Sequence, residues 1–431
     1  MAKKLSSVLG IDIGSQKIKI CEIRSQGREP VITALGIIDT PEGAVDHTGV
    51  YNSDAVGSAL RQVLSQSGAT VSQAVVSVAG QASVLVRTLE VPKMNPAELK
   101  EHMQWEINRN IPFAESTIVS DFRPLGGDDP NSPNMDVVMA IAPQSAIDTM
   151  IACVKKAGRS TNAIDVEPLS MARSIQKSYD DLLSGKTVCM VDIGHKTTSI
   201  NIYHGDRLLM PRQVPVGGEL FTKAIADAFA ISIPDAETMK LEKGDIPEWA
   251  GPTGASLDPF GDLGVTAGFQ AYNPFADDPL PFNPSASPFA DPAPTFGDDL
   301  SSASTDDSFG FTPPVDHPAS ASSVPADNSQ ATQIYNAIAP ILEEFVSEVR
   351  RSIDYYRSRG GEIDAVELCG GGAKLGGLVA YLSKSLGIEC DAYDPLRRLN
   401  LNVRKVAPTF VEEHKQEFAV AVGNGLHIFF D

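Results

Sequence analysis

The chain has 431 residues, enough for two or three compact units at roughly 100–200 residues each. Hydrophobic residues make up 42% and charged residues 21%, so most of the chain can bury a core. The net charge is −20 with no basic stripe along the sequence, which excludes a partner held through nucleic-acid phosphates.

In chain order, VLGIDIG (8–14) and IKICEIR (18–24) read as a hairpin, and VITALGII (31–38) as a third strand. A helix follows near 52–67, then a short buried strand at 73–79. From Ser83 to Val166 the texture changes to a small α+β unit with strands near 83–90, 118–125, 135–142 and 161–166. Its first helix opens at Asn95-Pro96-Ala97-Glu98, with Asn95 as N-cap, Pro96 at N1 and Glu98 at N3. Its second helix covers 144–157. Trp105 is expected in a core or subdomain interface.

A second round then begins with TVCMVDIG (187–194), TTSINIYHG (197–205) and RLLMPRQVPV (207–216) as strands. Gly217-Gly218-Glu219 leads into a helix through Ile231, and a short helix ends near Lys240. A long amphipathic helix spans 331–359, with Ile334, Ile338, Ile341, Leu342, Phe345, Val349 and Ile353 on one face. The strand VELC (366–369), the turn GGGAKLGG (370–377), a helix to Leu386 and a strand near IECDAY follow. A last helix is expected over 413–425.

Residues 245–330 break this pattern. They hold thirteen of the acidic residues, fourteen of the thirty prolines, and no Lys or Arg. Too little apolar surface is available there to offset ordering entropy, so the segment is expected to be a disordered acidic linker. It repeats PFAD at 274–277 and 288–291, and places Phe275, Phe282, Phe289 and Phe296 every seven residues. Proline density excludes a coiled coil.

The five cysteines are scattered without a C-x-x-C pair; they exclude a cysteine-rich zinc site and argue against a disulfide framework. With no secretory signal and no 18-residue apolar run, the chain is expected to be cytoplasmic.

Chemistry concentrates at two Asp-Ile-Gly turns about 180 residues apart, each ending an apolar strand and opening a hairpin. Glycine lets a backbone approach a phosphate closely, and hydroxyls with successive N–H groups cradle its oxygens. A carboxylate at each turn suits water-coordinated Mg²⁺, which rarely takes an all-protein cage. The first turn supplies Asp12, Gly14, Ser15 and Gln16, with Lys19 on the returning strand as a cation for the phosphates. The second supplies Asp192, Gly194, Thr197 and Thr198. Gly370, Gly371, Gly372 and Ala373, between strand and helix, suit close packing against a purine and its ribose.

The order DIG-hairpin, helix, DIG-hairpin, helix, GGG-helix resembles the actin-like ATPase superfamily. GIDIGSQKIKI, VDIGHKTTSI and CGGGAKLGGL look like its two phosphate motifs and its adenosine motif. Ala236-Glu237-Thr238-Met239-Lys240 matches the AE-x-x-K signature of bacterial actin homologues. VPKMNPAELKEHMQWEINRNIPF, AGRSTNAIDVEPLSMARS and EVRRSIDYYRSR resemble the PilM family of type IV pilus assembly proteins, over nearly the whole chain except 245–330.

The resemblance implies an α/β, actin-like (ribonuclease H-like) two-domain fold with a small α+β subdomain of the FtsA 1C type. Subdomain 1A would be 1–82 with 167–186, subdomain 1C 83–166, and the second domain 187–244 with 331–431. It implies ATP with Mg²⁺ as cofactors, Asp12 and Asp192 at the metal, Glu237 and Lys240 on ribose and adenine, and Gly218 nearby. Glu167 matches the position of a Glu that faces the attacking water, with Asp192 as its catalytic companion. It further implies docking of the cytoplasmic N-terminal tail of a PilN-like inner-membrane protein, membrane association through such partners only, and contact with cytoplasmic motor ATPases. His195-Lys196 and Gln16-Lys17 replace small residues common in these turns, so a weak ATPase is the strongest enzymatic expectation. An FtsA-like division protein is the alternative, although GNGLHIFFD lacks a basic amphipathic stretch. A small-molecule kinase is a second alternative, although no acidic or Asn cluster suits an acceptor hydroxyl. Arg350, Arg351 and Arg357 are expected in surface ion pairs.

Overall fold

The computed structural model describes residues 5–78, 83–112, 117–126, 131–250 and 329–430. The PFAD words, the Phe repeat and most of the expected linker lie outside the described residues.

The first sheet begins with β1 (Ser7–Ile13), β2 (Lys17–Gln26) and β3 (Glu29–Asp39), followed by α1 (Ser53–Ser67) and β4 (Gln73–Val78). Next come β5 (Leu85–Pro92), α2 (Pro96–Arg109), β6 (Ile118–Pro124), β7 (Asn134–Pro143), α3 (Gln144–Lys156), β8 (Ser160–Val166) and α4 (Glu167–Leu183). The second sheet contains β9 (Thr187–Ile193), β10 (Thr198–His204), β11 (Arg207–Met210) and β12 (Gln213–Val214). Helices α5 (Gly218–Phe229), α6 (Ile233–Lys243) and α7 (Gln330–Ser358) precede β13 (Ala365–Cys369), α8 (Leu378–Leu386) and β14 (Cys390–Ala392). Two-residue β15 (Asn400–Leu401), α9 (Pro408–His414) and α10 (Ala419–Gly425) close the chain.

The two large sheets share one plan. The first runs β15-β3-β2-β1-β4-β8 and the second β11-β10-β9-β13-β14. In each, an antiparallel hairpin leads, and the later strands (β4 and β8, or β13 and β14) add in parallel. Such strands are covered on both faces, which is why they read as continuous apolar runs rather than alternating ones. On one face of the first sheet, Leu9, Ile11 and Ile20 pack with Val56, Leu60 and Val63 of α1 and Met150 and Cys153 of α3. On the other, Cys21, Ile23 and Leu35 pack with Phe418, Val422 and Leu426. All five cysteines are buried and form no disulfide, as small core residues do.

The third sheet, β5-β7-β6, is antiparallel. Leu99, Met103 and Ile107 of α2 bury against its Val137, Met139 and Ile141. The capping box forms in full: Asn95 Oδ1 accepts from the N–H groups of Ala97 and Glu98, and Glu98 returns a bond to the Asn95 N–H. Trp105 departs from expectation. The buried stripe recurs at 99, 103 and 107, so Trp105 falls off it, 55% exposed, with the Arg109 guanidinium 4.9 Å from its ring centre.

Three other expectations shift. The strand read over 207–216 splits into β11 and β12, because Pro211 between them has no N–H for the ladder. The single last helix is interrupted by a tighter turn at Lys415–Phe418, where Gln416 O accepts from Gly370 N–H across the molecule. Residues 245–250, assigned to the linker by composition, are packed. Ile246 N–H donates to Gly376 O, Ile246 is buried, and the Trp249 ring meets Tyr335 edge-on. Arg351 pairs with Glu348, and Arg357 stands 3.9 Å from Glu362. Arg350 instead donates to Ser385 O. Among the described residues no helix is long and apolar enough to cross a membrane.

Candidate functional site

The leading hairpins end side by side in one cleft. β1 ends just past Asp12 and β9 just past Asp192, and each chain turns back within four residues. Gly14 N–H donates to Lys17 O (3.1 Å), and Gly194 N–H donates to Thr197 O (3.0 Å). A Cβ on Gly14 would lie 2.9 Å from Lys17 O, and one on Gly194 2.7 Å from Thr197 O. A side chain at either position would therefore prise its turn open. The N–H groups of Ser15, Gln16, His195 and Lys196 are not spent on any described residue. Each turn thus offers free donors at its tip, the arrangement that receives an anion.

Across the hairpins the registers match. Lys19 faces Asp12 on β2, and Ser199 faces Asp192 on β10. Lys19 Nζ donates to Asp12 Oδ2 at 2.9 Å. Burial opposes the Lys19 charge, but Asp12, with Asp192 and Glu417 behind it, holds the pKa above the usual lysine value. Asp192 has no lysine across its own hairpin. Burial, with Asp12 and Glu417 nearby, pushes its carboxyl up to about 6 despite Lys19. Glu167 opens α4 at the same place. Burial and then Asp192 push it up to about 8, with the Ser199 hydroxyl opposing the shift. Four carboxylates therefore surround one lysine, and two of them are held toward their neutral forms.

Glu417 is the fourth. Burial works against its charge, but a hydrogen bond with His414 and the Lys374 ammonium hold it down at about 2. Lys374 Nζ lies 2.9 Å from Glu417 Oε1 and His414 Nδ1 2.7 Å from it. Gly370, with φ of +82°, lets β13 end against this group; a Cβ there would sit 2.3 Å from Asp192 Oδ1.

At the rim of the second sheet, Lys240 Nζ donates to Gly218 O (3.0 Å), Thr222 Oγ1 (2.8 Å) and Glu237 Oε2 (2.8 Å). Burial opposes the Glu237 charge, yet Lys240, Thr222 and Gln16 together hold its pKa below the carboxylate norm. Gln16 Nε2 reaches Glu237 Oε1 at 3.4 Å, so the first turn touches α6 directly.

Of the residues singled out from sequence, Asp12, Gly14, Ser15, Gln16, Lys19, Glu167, Asp192, Gly194, Thr197 and Gly371 line this cleft. Thr198 does not. It is fully buried, its hydroxyl donating to Val216 O at 2.6 Å, because the residue after the turn already faces inward. Gly370, Gly372 and Ala373 shape the turn rather than the cavity wall: Ala373 is buried, and a Cβ on Gly372 would strike Ile193. Gly218, Glu237 and Lys240 form the rim described above.

Sequence reading missed several lining groups. Glu417 comes from the far end of the chain, and only tertiary packing brings it in. Ser77 lines the cleft too, held by Asn424 Oδ1 (3.0 Å), while Asn424 Nδ2 donates to Ile11 O (2.8 Å). His195, which stands where such turns commonly carry a small residue, lines the cleft, and its buried Nδ1 has no hydrogen-bond partner among the described residues. Burial lowers its pKa, with Glu219 and Glu237 opposing, so the imidazole is neutral near pH 7. A polar side chain alone in an apolar run, such as Asn424 in AVAVGNG, is the one signal that could have flagged part of this set.

The residues present fit an anionic, nucleotide-like ligand. Unspent N–H groups sit at both turn tips, and carboxylates crowd around too little positive charge. Among the described residues no group of three or more His, Cys, Asp or Glu could cage a metal ion.

Comparison with known proteins agrees with this architecture. The chain is similar in structure to a PilM-PilN type IV pilus biogenesis complex, with a TM-score of 0.70 and 23% identity, covering 99% of each chain; at that identity the likeness shows the fold. Cell division protein FtsA of Neisseria meningitidis is 23% identical over 256 residues, 54% of this chain and 60% of that protein. FtsA of Bacillus subtilis is 23% identical over 259 residues, 55% of this chain and 58% of that protein. The chain thus spans about 60% of the length of these curated relatives. The family model for cell division protein FtsA matches residues 189–423, and the one for type IV pilus assembly protein PilM matches residues 10–262. The PilM model covers more than half of the chain, which therefore belongs to the PilM family of type IV pilus assembly proteins, on an actin-like ATPase fold.

Proposed function

We propose that this chain is a nucleotide-loaded scaffold of type IV pilus, or related type II secretion-like, assembly. In this reading ATP with Mg²⁺ occupies the cleft, and the chain docks the cytoplasmic N-terminal tail of a PilN-like inner-membrane protein, which would hold it at the membrane from the cytoplasmic side. The observation that carries the nucleotide half is the paired turns, with unspent N–H groups and an excess of carboxylates around Lys19. The partner half is supported by the family and by the PilM-PilN complex, which has the same fold.

Each residue then has a task. The turn N–H groups, Ser15 and Thr197 receive phosphate oxygens, and Lys19 carries charge to them. Asp12 and Asp192 would orient the waters of a bound metal ion, whose positive charge would favour the ionised form of Asp192. Glu237 and Lys240 would exchange their mutual bonds for ribose and base, with Gly218 and Gly371 leaving room. Glu167 would hold the attacking water; in the empty cleft its carboxyl is pushed up to about 8, so its ionisation too would depend on the bound cation. His195-Lys196 and Gln16-Lys17 in place of small turn residues make slow turnover the expectation, and nucleotide acts first as a ligand that stabilises the folded cleft by mass action.

Calorimetry on the full chain tests the nucleotide half. Mg-ATP should bind with micromolar affinity or better, and Asp192→Ala should weaken that binding roughly tenfold or more in Mg²⁺ but much less in EDTA. Equal affinity in the variant removes the assignment. A peptide copying the tail of a PilN-like partner should bind the wild type; no binding in either nucleotide state removes the docking half. The FtsA model over residues 189–423 favours a second reading as a division protein, which mid-cell localisation of a tagged chain would support.

A further inference from the structure

The small third sheet ends in a strand whose outer edge no described element pairs. β6 is its outer strand, whereas the opposite edge, β5, leans on the second sheet through Thr88 Oγ1, which donates to Leu208 O. Two flanking bonds fix the phase of the β6–β7 ladder: Gln144 N–H donates to Thr117 O (3.0 Å), and Leu125 N–H donates to Asp136 O (2.9 Å). With the register Ile118↔Pro143 through Pro124↔Val137, the backbones of Val119, Asp121 and Arg123 turn toward β7. Those of Ile118, Ser120, Phe122 and Pro124 turn outward. Phe122 N–H shows the consequence, since it is met at 2.9 Å by the Asp121 side chain rather than by a strand. Val119, Asp121 and Arg123 are exposed, and neither Asp121 nor Arg123 forms an ion pair with a described residue.

We propose that β6 is a homotypic docking edge, pairing antiparallel with β6 of a second copy of this chain about a twofold axis at Phe122. In that register the Phe122 residues exchange N–H···O bonds with each other. Ser120 N–H donates to Pro124 O of the second copy, and the missing N–H of Pro124 costs nothing more than its own bond. Asp121 then stands opposite Arg123 of the second copy, and Arg123 opposite its Asp121. Both are non-hydrogen-bonded positions, where side chains approach most closely. The sequence Ser-Asp-Phe-Arg-Pro is thus complementary to itself only when Phe122 lies on the axis; centring on Asp121 or Arg123 sets like charges face to face. This self-complementarity selects a second copy over an unrelated extended peptide. A contact of one strand per copy lies well below the roughly 1,600 Å² of a stable interface, so it suits copies already crowded together in an assembly.

Sedimentation equilibrium of the full chain tests this. The wild type should show a weak, concentration-dependent dimer that loosens as salt rises. Because the axis doubles every change, Asp121→Arg or Arg123→Asp should each weaken it roughly tenfold or more. The double variant D121R/R123D exchanges the charges and should recover wild-type association within roughly threefold. Circular dichroism and Mg-ATP binding, unchanged in all three variants, show that folding is intact at these exposed sites. A wild type that stays monomeric at the highest concentration, single variants that associate like the wild type, or a double variant that does not recover each overturns the proposal. So does a monomeric wild type that captures an extended peptide along β6.

Discussion

The two Asp-Ile-Gly hairpins are the same backbone device built twice, and the register position across from the aspartate sets their charge apart. On the first, the residue across from the aspartate is Lys19; on the second it is Ser199. The consequence is electrostatic. Asp12 has a counter-charge 2.9 Å away, while Asp192 is pushed up to about 6 and Glu167 beside it to about 8. One half of the cleft is neutralised by the chain itself, and the other half is not. Under the proposed function, repeating the backbone without repeating the lysine would leave charge for a bound cation to complete.

Removing the counter-charge should give the largest effect. Lys19→Met leaves Asp12, Asp192 and Glu167 without the ammonium they share, Glu417 keeping its own partner Lys374, and breaking a buried pair typically costs about 3–5 kcal/mol. Thermal unfolding of the free protein should show a large fall in midpoint at pH 8 and a smaller one at pH 5, where the carboxyls are closer to neutral. Similar losses at both pH values would mean that Lys19 acts through packing alone.

Neutralising the second half should do the reverse. Glu167 has a folded value of about 8 against an ordinary 4.5, so the fold favours its protonated form. The stability this contributes is complete below about pH 4.5 and is lost as pH rises to about 8. Asp192 adds the same sign over a lower window, from its ordinary 3.8 to about 6. Glu167→Gln keeps the neutral form at every pH. The variant should therefore be more stable than the wild type at pH 8, by about 1–3 kcal/mol, and nearly equal to it at pH 4.5. Denaturant titrations across that range measure the difference, and parallel curves would show that Glu167 ionises normally in the fold.

Which of these features were legible beforehand follows from their reach along the chain. The hairpins, the apolar stripe of α7 and the Asn95 capping box depend on residues within a few positions of one another, and the structure has them where the sequence put them. Gly14 and Gly194 were legible for the same reason. Glu417 and the Ser77–Asn424 contact were not, because they form only when α10 and the turn before it pack on β1 and β4. Trp105 was misjudged because helical phase outweighs hydrophobicity: two residues past Met103 is the wrong side of α2. Residues 245–250 were misjudged because composition was averaged over a long window, whereas Ile246 and Trp249 are single anchors that dock on Gly376 and Tyr335.

The register difference can also be probed from its quieter side. Ser199 is buried, and its hydroxyl favours the ionised form of Glu167. Ser199→Ala removes that support without adding volume, so Glu167 should be driven further up in pKa. By the same sign argument the cost appears only where Glu167 would otherwise be charged. The loss should be about 1 kcal/mol at pH 8 to 9 and should vanish toward pH 5, and the double variant Glu167→Gln with Ser199→Ala should behave as Glu167→Gln alone. A pH-independent loss, equal in both backgrounds, would instead make Ser199 an ordinary packed residue of β10, and the contrast with Lys19 would reduce to the lysine by itself.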